Sequence, residues 1–137
     1  MPARCPHNGG MAELPCPCGL PAPYRDCCGP IHRGAARAET AERLMRSRFS
    51  AFAVQNAGYL RRSWHPSTRP PVVDFDPALR WSRLEVLATS RGGPAHLEGT
   101  VEFRAHYTRG GRPGRLHEVS RFVKHDRAWV YLDGEAG

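Results

Sequence analysis

The chain has 137 residues, enough for one core of ordinary size plus a small appendage but not for two. No run of 18 apolar residues occurs and the first twenty residues lack the apolar centre of a secretory signal, so a soluble, cytoplasmic protein without a membrane span is expected. The net charge of +7 comes almost wholly from arginine, and the basic residues of the C-terminal part are interleaved with acids instead of forming a stripe, which argues against a nucleic-acid partner.

Residues 1–13 are rich in Pro, Gly and small polar residues and show no periodicity; they read as a disordered leader, with Met11 a candidate start. Residues 14–34 (LPCPCGLPAPYRDCCGPIHRG) hold four of the five cysteines among prolines and glycines that forbid a long helix or a regular strand. In a reducing compartment such cysteines are metal ligands more often than disulfide partners. Cys16-x-Cys18, eight residues, then Cys27-Cys28 presents two close pairs of soft ligands, the arrangement that tetrahedral zinc prefers. One structural Zn2+ held by Cys16, Cys18, Cys27 and Cys28 is therefore expected, with Gly19 and Gly29 allowing tight backbone after each pair. His32, four residues after Cys28, is an alternative ligand, because two adjacent cysteines need an unusual backbone to reach one ion. Cys5 and His7 lie in the leader and read as bystanders. Residues 1–38 carry a formal +2 that four thiolates around one zinc ion would cancel, so the knuckle is no basic finger.

The spacing predicts a helix from Thr40 to Gln55, with Thr40 its N-cap. Leu44, Met45, Phe49 and Phe52 share one side, while Arg43, Ser47 and Ser50 fall on the other. Arg48 lies inside the apolar arc and must snorkel out or find a buried acceptor. A short second helix over 56–64 stops at His65 and Pro66, and a Pro-rich connection follows. From Trp81 the period changes to two. Val101, Phe103, Ala105 and Tyr107 alternate with polar residues as in a half-buried strand, and 84–89, 116–123 and 128–132 supply three more strands separated by turn signals. The expected fold is α+β: two helices, then an antiparallel meander with the first helix across one concave face, occupying residues 38–134 after a 14–34 knuckle.

CPCGLPAPYRDCCG resembles the SEC-C motif, the zinc-binding tail of the SecA translocation motor, with Leu20 where Ser is usual. The segments TAERLMRSRFSAF, SWHPSTRP, VEFRAHY, HEVSRFV and WVYLDG resemble the YchJ family of bacterial proteins. The resemblance implies a nuclear-transport-factor-2-like domain, a curved sheet wrapped by helices into a cone with a pocket. Candidate pocket residues in the matched segments are Arg48, Trp64, His65, His117 and Glu118. Glu118 shares a strand face with Ser120 and Phe122 and is the first choice as acceptor for Arg48; His65 either aims into the cone or simply ends its helix. No nucleophile motif or phosphate loop accompanies them. The expected function is a zinc-binding, non-catalytic protein-interaction module, linked through the SecA resemblance to secretion or nascent-chain partners. The alternative is a small-molecule-binding protein or enzyme that uses the cone pocket. Exposed edge strands leave a homodimer open.

Overall fold

In the computed structural model, which describes residues 14–137, the chain enters its first long helix as the sequence anticipates. The expected leader, 1–13, lies outside the described residues. Thr40 is extended (φ −136°) and its hydroxyl accepts from Arg43 N at 3.0 Å, opening a helix over Ala41–Ala53, here α2. A single helical turn, α1 (Cys28–His32), precedes it. Gln55 turns left-handed (φ 59°) and ends α2, and the Asn56 side chain then caps α3 (Ala57–Arg62) by accepting from Tyr59 N.

Four antiparallel strands follow in the order β1 (Leu79–Arg91), β2 (Glu98–Arg109), β3 (Arg112–His125) and β4 (Ala128–Ala136). Each runs well beyond the short apolar cores that the sequence marks. Their polar ends stay paired with the neighbouring strand, so backbone bonds extend the ladder where side chains give no pattern. Pairs such as Phe103↔Glu118 fix the register, and irregularities at Trp81/Arg83, Val86/Ala88 and Arg121/Phe122 bend the sheet. The β1–β2 end closes unusually tightly. A Cβ at Gly99 would lie 2.5 Å from Gly92 Cα, and Gly92 O accepts from Ala41 N, tying this turn to the start of α2.

Leu44, Met45 and Phe49 of α2 pack on Leu84, Val101, Phe103, Ala105, Phe122 and Trp129 of the sheet. Each large side chain so buried contributes about 1.5–3 kcal/mol. After α3 the backbone of residues 63–65 runs beside β4, with Tyr131 N donating to Ser63 O and His65 N to Tyr131 O. This bridge places Trp64 against the mouth of the curved sheet. No helix among the described residues is long and apolar enough to cross a membrane.

The second face of α2 is not a solvent face. Ser47 and Ser50 are fully buried. Ser47 bonds Leu44 O and the Tyr59 hydroxyl, and Ser50 Oγ lies 3.4 Å from Cys16 Sγ. Small hydroxyls let the knuckle and α3 approach this side of the helix closely, so α2 is walled by the sheet on one side and by the cysteine segment on the other.

Candidate metal centre

The knuckle is built by a short backbone pairing. Cys16 N donates to Ala22 O and Tyr24 N to Leu14 O, which folds 14–24 back on itself. Gly19, at φ 92°, makes the reversal after the first cysteine pair. Gly29 follows the second pair where a Cβ would come 2.8 Å from Tyr24 O, so only glycine lets α1 close onto the loop. These two glycines stand where the sequence asks for tight backbone.

The result brings one Sγ from each of Cys16, Cys18, Cys27 and Cys28 within 4.8 Å of the others. None of the four residues is more than 8% exposed. A tetrahedron of zinc–sulfur bonds of about 2.3 Å has edges of about 3.8 Å, and Cys18 Sγ and Cys27 Sγ lie 3.6 Å apart. Thiols this close cannot all ionise alone. Cys16 is held low by hydrogen bonds from Cys18 and Cys28, while Cys18 is pushed up by Cys16 and Cys28; Cys28 is pushed up to about 11, chiefly by Cys16. A divalent cation among them removes that conflict, and the donor set fits a soft, tetrahedral ion.

Helix α2 supplies the surroundings. Arg43 donates from Nη1 to Cys28 Sγ (3.3 Å) and from Nη2 to Cys27 Sγ (3.2 Å). Burial works against its charge, but the cysteine sulfurs, Cys28 foremost, together more than offset this and its pKa sits above the ordinary value. Arg46 pins the loop backbone through Cys18 O at 2.8 Å while held by Glu42. His32 is placed elsewhere. Its Nε2 donates to Ser47 O at 2.8 Å, so in the neutral ring Nδ1 accepts from the Tyr24 hydroxyl at 2.6 Å. With both nitrogens occupied and burial holding its pKa down, His32 is a neutral strut between loop and helix, outside the sulfur cluster, in contrast to its expected alternative role as a ligand.

The candidate pocket residues divide. Arg48, Trp64 and Glu118 line one cavity of about 150 Å³, together with Phe49, Phe52, Trp81 and Tyr131 among others. Arg48 does not snorkel. It is 4% exposed and donates from Nη1 to Leu60 O (2.9 Å) and Ser63 Oγ (2.7 Å). Its guanidinium carbon lies 4.8 Å from the Trp64 ring centre and 4.7 Å from that of Tyr131. Burial brings its pKa down to about 10, which leaves it charged at neutral pH.

Glu118 is not its acceptor. That carboxylate takes hydrogen bonds from Ser120 Oγ at 2.9 Å and from the Tyr131 hydroxyl at 3.5 Å, and the Leu60 carbonyl and Ser63 hydroxyl at the end of α3 serve Arg48 instead. His65 and His117 do not line the cavity. His65 lies beyond the end of α3, which stops at Arg62; its N donates to Tyr131 O in the bridge with β4 and its Nδ1 accepts from Ser67 N. His117 points to the other face of β3, where Nε2 meets Glu102 Oε2 at 2.7 Å.

Residues 40–134 match the family model described as the middle, nuclear-transport-factor-2-like domain of YchJ. The chain belongs to the YchJ family. Among YchJ relatives, a UPF0225 protein of Streptomyces coelicolor is 55% identical over 91% of this chain and 98% of its own length. A UPF0225 protein of Cupriavidus pinatubonensis is 50% identical over 98% of this chain and 96% of its own. Two solved structures share the fold. A SEC-C motif containing protein from Rhodopseudomonas palustris has a TM-score of 0.78 at 34% identity, covering 90% of this chain and 99% of that one. A second, from Psychrobacter arcticus, has 0.76 at 30%, covering 93% and 85%. The YchJ chain thus combines a SEC-C motif with a cone-shaped α+β domain. Sequence reasoning missed Arg43, Arg46 and Ser50 as neighbours of the cysteines. A signal existed: two arginines three apart on the first long helix after a cysteine cluster are placed to serve the same anionic site.

Proposed function

We propose that this YchJ protein is a zinc-stabilised, non-catalytic protein-interaction module. Cys16, Cys18, Cys27 and Cys28 hold one structural Zn2+. The observation that carries this reading is the convergence of four buried sulfurs within 4.8 Å, beside an arginine that bonds two of them. When bound, the ion supplies a charge centre that lets all four thiols ionise. Four protein ligands complete its preferred coordination, which favours structure over chemistry. Arg43 offsets the excess negative charge, and Arg46 and the His32 strut fix the loop against α2.

A partner surface adjoins the knuckle. A groove of about 290 Å³ runs beside Ile31 and is bordered by Arg37, Arg62, Lys124 and Arg127 against the single acid Glu39. That balance suits an acidic segment of a partner protein, in keeping with a role near secretion or nascent chains. The experiment is metal analysis of the purified chain together with partner capture. One zinc per chain, lost in Cys16→Ser/Cys18→Ser, is expected. Arg37→Glu/Arg127→Glu, on the exposed border, should keep the metal and lose the partner. A metal-free, fully folded native chain refutes the zinc reading; undiminished capture by the groove variant refutes the docking surface.

A further inference from the structure

The cavity at the mouth of the cone is independent of the cysteines and has donors left over. Its walls are chiefly aromatic: Phe49 and Phe52 from α2, Trp81 from β1, Trp64 after α3 and Tyr131 from β4. Among the described residues only Nη1 of Arg48 has acceptors, so the Nε and Nη2 edge of a buried guanidinium remains without one. In the same wall the Trp64 indole Nε1 is buried with no hydrogen-bond partner. Buried polar groups in native proteins are nearly always paired, so the Trp64 indole N–H, with the unbonded edge of Arg48 on the same wall, marks the place of an acceptor that the chain itself does not supply.

We infer that this cavity binds a small, neutral, flat aromatic molecule that carries one hydrogen-bond acceptor, such as an aromatic amide. Size comes from the volume: about 150 Å³ is room for one benzene-sized ring, with the open side at Leu116 leaving space for a small substituent. Flatness comes from the walls, since Phe49 meets Trp81 edge to face, Phe52 meets it at a tilt, and the rings offer faces for stacking. The acceptor answers the free Arg48 edge. Neutrality comes from charge: Arg48 and Glu118 line the cavity together, and a carboxylate would leave an uncompensated negative charge in an apolar enclosure. Glu118, steadied by Ser120 and Tyr131, keeps the site neutral without occupying the guanidinium. Leu116, 41% exposed and part of the lining, stands at the opening.

Three probes that share one ring test this: benzamide and benzoate, nearly equal in size, and the smaller benzene, each titrated up to about 10 mM, a range that reports affinities in the millimolar class or tighter. The readout is the indole N–H resonances of the 15N-labelled, metal-loaded full chain. Benzamide should shift the Trp64 signal selectively and bind at least about tenfold more tightly than either of the others, the factor expected of one hydrogen bond to a charged donor. Arg48→Met should remove that advantage and make benzamide and benzene equivalent. Should this variant fail to fold, the ranking on the native chain decides alone. Tighter binding of benzoate overturns neutrality, equal binding of benzene and benzamide overturns the donor edge, and no shift with any probe overturns the site.

Discussion

Arg43 is the sharpest place to test how the protein holds its metal, because it touches the sulfurs without being a ligand. Its guanidinium forks across Cys27 and Cys28 at 3.2 and 3.3 Å. Each such bond to an ionised sulfur, at a half-buried position, is worth about 1 kcal/mol, so losing both costs about 2 kcal/mol, or roughly 30-fold in zinc affinity. That falls within the 10- to 100-fold range typical when a group behind a metal ligand is removed. Arg43→Met keeps the helix and the side-chain length while deleting the donors. Arg43→Lys keeps the charge but has no fork, so it should lose about fivefold by reaching one sulfur only. Competition of the full chain against a chromophoric zinc chelator, with helical content checked by circular dichroism, measures both. Unchanged affinity in a folded Arg43→Met chain, or Arg43→Lys weaker than Arg43→Met, would show that the guanidinium fork does not hold the sulfurs for the ion.

His32 predicts a pH effect. Burial keeps its folded pKa below the unfolded value of about 6.5, so the unfolded chain takes up the proton first. The stability that the neutral ring contributes is complete above that value and is lost as pH falls through the window towards the folded pKa. Melting temperature should therefore fall with acidification below about pH 6.5 more steeply in the native chain than in His32→Gln; identical slopes would contradict the strut. Gly99→Ala forces a Cβ to 2.5 Å from Gly92 Cα and 2.6 Å from Gly92 N, rigid backbone that cannot give way. The cost is about 1–3 kcal/mol, or roughly 4–15 °C in melting temperature, read by calorimetry, and an unaltered melt would show that this end of the sheet is looser than described.

Much of the fold was legible because its signals are local. The Thr40 cap, the alternation from Val101 to Tyr107 and the turn glycines at 110 and 111 each depend on a few neighbouring residues, and each is where the pattern put it. The metal centre was legible for a related reason: the spacing of Cys16, Cys18, Cys27 and Cys28 encodes the converging pairs directly. What stayed hidden is contact between distant segments. Nothing near Arg48 in sequence announces that Leu60 O and Ser63 Oγ, 12 and 15 residues on, will take its charge in place of Glu118. Ser47 and Ser50 carry the polarity of a solvent face, and only the arrival of the knuckle and Tyr59 makes them interior.

That arrival explains why the knuckle and α2 depend on each other, and what the proposed ion would add. A helix with two buried faces must satisfy polar groups on both. The sheet takes the apolar face, while on the other the Ser47 carbonyl is met by His32, the Ser47 hydroxyl by Tyr59 and the Ser50 hydroxyl by Cys16. A proline-rich segment with few apolar side chains has little else to hold it in place. Loss of the ion would leave four crowded thiols in conflict over ionisation and weaken the grip of Arg43 and Arg46, exposing a helix face composed for burial. The Pro and Gly residues of 14–34 and the small hydroxyls of α2 are thus two halves of one interface, and the four sulfurs sit where the halves meet.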